Sequence, residues 1–380
     1  MVYLDNAATT RIDPDVVEAM IPYMKDMYGN AGSQYKIGRE SKRAIDDARR
    51  SVAELINAEP EQIIFTSGGT ESNSSVVRFS NFPKDKKTIL CSTIEHDSVI
   101  RSARDINSWS SNYKYKLIPV LGDGRVDPET IRSMLSDDVG MVSVMYVNNE
   151  TGVVNPVAEI GALLSSKGIK FHTDCVQALS CCSINVKDIN CDFASMSSHK
   201  IHGPKGVGAL YVKDPSKFNP LIIGGRYQEY GLRGGTENVA GIVGFGKACE
   251  IQNRYKNTSF YGMKCKFETI LGDELKRLNC NVEYFVNGNS CGKVINITFR
   301  GVDGESLVLM LDAVDVCISS GSACRSHETK PSHVLKAMGL SDEDAHNSIR
   351  VSFSRLNSLS DIEIGAKEMA RCVNILSNIR

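Results

Sequence analysis

Six short segments hold the residue types that could do chemistry, each at the end of a β-branched run or in a loop. The first is Thr66-Ser67-Gly68-Gly69-Thr70-Glu71-Ser72-Asn73, a strand running through glycines into a helix. Glycines let the backbone approach an anion, and a helix N-terminus adds free N–H groups and a favourable dipole. The spacing fits neither a P-loop nor GxGxxG, which argues against a nucleotide. A tight turn that simply needs glycine is the plainer reading. The second segment, Val147-Asn148-Asn149-Glu150-Thr151-Gly152, follows an apolar strand, and its asparagines are either turn formers or substrate donors. The third, His172-Thr173-Asp174-Cys175-Val176-Gln177, brings a carboxylate out of a buried strand, which is costly unless a cation or donor meets it.

The fourth segment, Ser197-Ser198-His199-Lys200-Ile201-His202-Gly203-Pro204-Lys205-Gly206, holds Lys200 in a Gly/Pro-rich turn at a strand end. That lysine is a candidate Schiff-base former or a plain surface lysine. The fifth, Arg233-Gly234-Gly235-Thr236-Glu237-Asn238, is polar and precedes an apolar helix. The sixth, Ile318-Ser319-Ser320-Gly321-Ser322-Ala323-Cys324-Arg325-Ser326, surrounds one cysteine with small residues beside an arginine, a setting that favours the thiolate. Each signal is weak alone. Together they give a phosphate cup, a buried carboxylate, an amine and a separate thiol. Pyridoxal phosphate needs the first three, for its phosphate, its ring nitrogen and its aldehyde.

The elements that must position these residues alternate between strand and helix. Short β-branched runs are expected as strands at Gln62–Thr66, Thr88–Ser92, Tyr115–Pro119, Met141–Val147, Lys170–Thr173, Asp192–Ser197 and Val207–Val212. Helical patterns lie between several of them. Asn155 reads as an N-cap, Pro156 as the first helical position and Gly168 as the stop. Asp13-Pro14 opens an earlier helix that Gly29 should close, and residues 40–57 carry apolar side chains at helical spacing. The pattern predicts a mostly parallel sheet covered on both faces, with its site at the carboxyl ends of the strands. Beyond about residue 250 a smaller α/β unit follows, with strands at Val294–Phe299 and Ser348–Phe353 and a terminal helix from about Asp361.

Composition narrows the class. The chain has 380 residues, enough for two to three domains at roughly 150 residues each. Its 44 basic and 45 acidic residues leave a formal net charge of −1, so neither direct nucleic-acid binding nor attraction to an anionic membrane is expected. No apolar run approaches the ~20 residues of a membrane span. Met1-Val2-Tyr3-Leu4-Asp5-Asn6 lacks the regions of a signal peptide, and a cytoplasmic protein is expected. Twelve cysteines are scattered without any CxxC pair. Most of them read as reduced small hydrophobes rather than metal ligands, so no metal is expected.

From Tyr3-Leu4-Asp5-Asn6-Ala7-Ala8-Thr9-Thr10 to Ser348-Ile349-Arg350-Val351-Ser352-Phe353, the chain resembles the NifS/IscS-type cysteine desulfurases of the class V aminotransferase group. The Ser-Gly-Ser-Ala-Cys loop and the Ser-His-Lys turn are the most specific motifs. The resemblance implies an α/β fold-type I PLP-dependent transferase with a seven-stranded, mostly parallel large domain and a smaller C-terminal α/β domain. The large domain would span 13–250, and the small one 1–12 with 251–380. Lys200 would hold the cofactor aldehyde and shuttle protons, Asp174 would face the ring nitrogen, and Gln177 would bond the ring hydroxyl. His96 would stack on the ring and serve as acid or base. Gly69, Thr70, Ser197 and His199 would hold the phosphate, with Thr236 reaching in from the second subunit of a homodimer. Asn149 and Arg350 would bind the substrate carboxylate, and Cys324 would accept sulfur from L-cysteine, leaving alanine. The sulfur would pass to an acceptor protein of an iron–sulfur scaffold, tRNA-thiolation or DNA-phosphorothioation system.

Departures from the family pattern touch no cofactor role. Tyr35 stands where a histidine is usual, Arg325 follows the cysteine in place of threonine, Arg226-Tyr227 enters a glycine-rich loop, and Thr329-Lys330-Pro331 replaces a more acidic run. Two other readings compete. Another fold-type I enzyme, a selenocysteine lyase or an aminotransferase, would leave Cys324 without a task. A silent scaffold would be expected to lack the lysine or the nucleophile, and both are present.

Overall fold

The computed structural model describes residues 1–379 except 80–85, 110–112, 220–221, 256–258 and 321–330. Its strands, in chain order, are β1 (Val2–Tyr3), β2 (Ile63–Thr66), β3 (Thr88–Ser92), β4 (Lys114–Ile118), β5 (Val139–Ser143), β6 (Lys170–Asp174) and β7 (Phe193–Ser197). They continue with β8 (Gly208–Val212), β9 (Tyr284–Asn287), β10 (Val294–Phe299), β11 (Val316–Cys317), β12 (Ser319–Ser320) and β13 (Ser348–Ser352). Seven of these form one sheet in the order β2-β8-β7-β6-β5-β3-β4. Only β8 runs against its neighbours. This is the mostly parallel sheet that the alternation predicts.

The side-chain period of two splits each strand between two cores. Ile63, Phe65, Leu90, Val142, Phe171, Ala194 and Met196 pack on one face. Ile64, Ile89, Cys91, Met141, Phe193 and Leu210 pack on the other. Each such Ile, Leu or Phe contributes about 1.5–3 kcal/mol when removed from water. Helix Lys36–Ile56 lays Ile45, Ala48, Val52 and Ile56 against the first face. It ends where Asn57 turns left-handed at φ 57°. Strand β4 closes one edge, with Lys114, Lys116 and Leu117 exposed.

A second sheet, β12-β13-β10-β9, is antiparallel, and β1 pairs in parallel with β11. Its core joins Leu4 to Phe267, Ile297, Phe299, Val351, Phe353 and Ile362, so the first residues of the chain pack among the last. A bridge between Asp5 and Ser352 continues that pairing. Among the described residues no helix is long and apolar enough to cross a membrane.

Three local expectations are corrected. The strand expected to run to Val147 ends at Ser143. The N–H groups of Val144 and Tyr146 nevertheless still bond the carbonyls of His172 and Asp174, keeping the chain beside β6 up to Tyr146. Asn155 does not cap the helix Val157–Ser165. Its side chain instead accepts from Val126 N at 2.9 Å and donates to Met145 O at 2.7 Å, a tertiary use that outcompetes the local one. The helix from Pro14 ends at Lys25, before Gly29, while Asp13 caps its start through Asp15 N as expected.

Candidate active site

The carboxyl ends of β2, β6 and β7 converge on a cavity of about 300 Å³. Ten of the twelve residues singled out from the sequence line it. Gly69, Thr70, Ser197 and His199 lie along one part of the wall, with Asp174, Gln177, Lys200 and His96 also present. Asn149 and Arg350 complete the set.

Asp174 ends β6 and is 4% exposed. Its Oδ1 accepts from Val176 N at 2.9 Å and its Oδ2 from Asn73 Nδ2 at 2.7 Å, so two donors compensate the buried carboxylate. Lys200, on the turn after β7, donates from Nζ to Ala7 O at 2.6 Å and Ala8 O at 2.7 Å. Gln177 Nε2 also donates to Ala7 O, at 2.9 Å. The N-terminal segment is thus a wall of the cavity.

Helix Gly69–Phe79 begins at the cavity, where its first-turn N–H groups have no intrahelical partner. A side chain at Gly69 would meet Val176 Cγ2 at 2.7 Å, so the close approach requires glycine. Arg233 bonds Glu71 on this helix from Nε at 3.0 Å, tying the fifth segment to the first. Burial opposes the charge on Glu71, but the bonds from Arg233 and Ser67 outweigh it and hold the carboxyl below its ordinary value. His199 shares a 3.1 Å hydrogen bond with Thr9 Oγ1. Burial, then the charge of Lys200, pushes His199 down to about 4, so the ring is neutral at pH 7.

At the other end, Arg350 is 2% exposed and donates from Nη1 to Asn149 O at 3.1 Å and from Nη2 to Asp5 Oδ1 at 2.8 Å. One arm of the fork expected to receive a carboxylate is therefore held by Asp5. The two asparagines divide the alternatives left open by the sequence. Asn148 is fully buried and builds the loop, accepting from Glu150 N and Thr151 N at 2.9 Å each. Asn149 faces the cavity. His172 is a satisfied core residue between Ser143 and Ser195, and burial pushes its ring down to about 3.

The other two residues singled out stand differently. Thr236 is exposed and does not line the cavity. Cys324, with Arg325, lies outside the described residues. Strand β12, which leads into that segment, pairs Ser319 with Arg350. Sequence reasoning missed Ala7, Ala8, Asn73, Met145 and Val176, all of which line the cavity. The run Asp5-Asn6-Ala7-Ala8-Thr9-Thr10 could have flagged the first two, and Asn73 and Val176 lie within the first and third segments without a role of their own there, whereas Met145 carries no local signal.

The cavity suits the group that the motifs imply. Gln177 Oε1 and Asn73 Oδ1 are buried with no hydrogen-bond partner among the described residues, which marks a site for polar contents. A carboxylate, an amine, and a helix start that only glycine can occupy answer the ring nitrogen, aldehyde and phosphate of pyridoxal phosphate.

Comparison with known proteins agrees. The family model described as Aminotransferase class-V matches residues 2–364. A cysteine desulfurase of Trichormus azollae is 40% identical over 369 residues, covering 96% of this chain and 90% of its own. Cysteine desulfurase IscS of Methanosarcina thermophila is 40% identical over 385 residues, covering 100% of this chain and 93% of its own. A solved structure described as a NifS-like protein superposes with a TM-score of 0.89 at 32% identity, covering 99% of this chain and 100% of its own. Family match, relatives and fold coincide over nearly the whole length, and the chain belongs to the class-V aminotransferase family, among its NifS/IscS-type cysteine desulfurases.

Proposed function

We propose that this enzyme binds free L-cysteine at Asn149 and Arg350, moves its sulfur onto Cys324 and releases L-alanine. The observation that carries this reading is the joining of Lys200, Asp174 and Arg350 in one cavity beside the strand that leads to residue 321. When bound, pyridoxal phosphate supplies an electron sink for the amino acid's α-carbon. Gly69, Thr70, Ser197 and His199 would hold its phosphate, Asp174 its ring nitrogen, Gln177 its hydroxyl and Lys200 its aldehyde. Lys200 Nζ also moves the proton at the substrate α-carbon, and His96 orients the ring. Arg350 fixes the carboxylate by charge-assisted hydrogen bonds.

In each turnover the substrate C–S bond breaks and an S–S bond forms on Cys324. The carbon that loses sulfur gains a proton, so L-cysteine and a thiol become L-alanine and a persulfide. A cytoplasmic homodimer is part of the same reading, supported by the exposed position of Thr236, which would complete the phosphate site of the second copy. So is the division into 13–250 and 1–12 with 251–380, supported by two separate cores. The persulfide sulfur then passes to an acceptor protein of an iron–sulfur scaffold, tRNA-thiolation or DNA-phosphorothioation system.

One turnover with sulfur-labelled cysteine, followed by peptide mapping, tests the reading. Label is expected on Cys324, and Cys324→Ser should keep the cofactor absorbance while releasing no sulfide. Label on Cys317, Cys175 or the Cys181-Cys182 pair, with Cys324 unlabelled, would overturn it.

A further inference from the structure

His96 immediately precedes the helix Asp97–Trp109. Its Nδ1 lies 3.1 Å from Ser98 N, which donates to it, and 2.8 Å from Ser98 Oγ. The imidazole therefore caps the helix start, a task usually given to a Ser, Thr, Asp or Asn oxygen. A backbone N–H can only donate, so Nδ1 must be an acceptor, and the one hydrogen of the neutral ring sits on Nε2. Behind Ser98, Asn73 Nδ2 donates to Ser98 Oγ at 2.9 Å and to Asp174 Oδ2 at 2.7 Å. Both amide hydrogens are thereby spent, and the Ser98 hydroxyl hydrogen is directed to Nδ1. Asn73 is 1% exposed and Ser98 8%, so water does not compete for these bonds.

We propose that Ser98 is a positioning residue that holds His96 as the neutral Nε2–H tautomer and joins it, through Asn73, to the carboxylate of Asp174. The inference rests on the reading of this cavity as the desulfurase site and narrows the acid-or-base role of His96. With Nδ1 engaged, the ring offers a hydrogen from Nε2 and has no free lone pair with which to act as a base, so the base is Lys200. The network cannot conduct protons, because the amide of Asn73 donates in both directions. Its action is orientation: Asn73 and Ser98 together set the imidazole and the carboxylate in a fixed relation in the lining of the same cavity.

The test uses the full-length holoenzyme with ¹⁵N-labelled histidine. Ring ¹⁵N–¹H correlations of His96 should show hydrogen on Nε2 alone in the wild type. Ser98→Ala keeps the backbone N–H but removes the hydroxyl, one of the two donors that hold Nδ1, and should add a second ring species beside the Nε2–H form. It should also lower kcat for sulfide release about five- to tenfold, the worth of one hydrogen bond. Ser98→Thr, which keeps the hydroxyl, should restore both the single species and the rate. Hydrogen on Nδ1 in the wild type would overturn the proposal while leaving persulfide formation on Cys324 intact. A Ser98→Ala enzyme with wild-type kcat would overturn it as well. A wild type that forms no Cys324 persulfide, whatever its tautomer, would defeat the underlying reading and the proposal with it.

Discussion

Asp5 and Arg350 close a 2.8 Å ion pair across 345 positions of sequence, and Arg350 carries it to the lining of the cavity. The parallel pairing of β1 with β11 and the bridge from Asp5 to Ser352 bring them together. The guanidinium is 2% exposed, so the pair is held where water screens it little.

Asp5 thereby occupies an arm of Arg350 that a substrate carboxylate would use. Asp5→Asn should lower KM for L-cysteine severalfold, because the competitor is gone. It should also destabilise the ligand-free protein by about 1–3 kcal/mol, because a buried charge loses its partner. Arg350→Ala should raise KM roughly 10- to 100-fold. Steady-state kinetics and urea titration read both effects, and a KM that rises in Asp5→Asn would contradict the competition.

Lys293 offers a control for the amine. It is 1% exposed, donates to Ser180 Oγ, and burial pushes its ammonium below the ordinary value. With Lys200 it lines a second, water-sized cavity of about 10 Å³, yet it does not line the main one. Borohydride reduction of the holoenzyme should therefore fix the cofactor on Lys200 and leave Lys293 unmodified. Peptide mass spectrometry finding the reduced adduct on Lys293 would reverse the assignment.

Glu95 should make stability fall with rising pH. Burial pushes its carboxyl from 4.5 up to about 8, against the hydrogen bonds from Ser92 and Met145. The folded protein then holds a proton that the unfolded chain has released. Glu95 thus favours folding most below pH 4.5, and that contribution is lost as pH rises through about 8. The slope is at most about 1.4 kcal/mol per pH unit. Urea midpoints between about pH 5 and 8 should fall more steeply for the wild type than for Glu95→Gln, and parallel slopes would exclude the effect.

A deeply buried ion pair lies away from the cavity. Arg49 and Glu229 are 2% and 5% exposed and meet through two 2.7 Å hydrogen bonds. Glu229 also accepts from Phe65 N at 2.7 Å, anchoring the loop around Tyr230 to β2. Glu229→Gln should cost about 3–5 kcal/mol by leaving the guanidinium buried without its charge partner. Chemical denaturation would show it, and a loss below about 1 kcal/mol would mean that the loop relaxes to admit water.

The sequence alone determined the alternation of strands and helices, and hence the sheet, because side-chain period and turn residues act over a few positions. It also marked Gly69, Asp174, His199 and Lys200, since each follows directly on a strand and a parallel sheet gathers such ends on one edge. What the tertiary structure decided depends on partners distant in sequence. Asn155 reads locally as a cap, but Val126 and Met145 claim its side chain. Asn148 and Asn149 are alike in residue type and setting, and the resemblance alone picked out Asn149; folding turns the first into the loop and the second toward the cavity. Ala7 and Ala8 offer no reactive side chain, so only the run around them could point to them; their contribution is backbone carbonyls, which every residue has. The line from Asp174 through Asn73 and Ser98 to His96 joins three segments of chain, so no spacing rule within any one of them could have disclosed it.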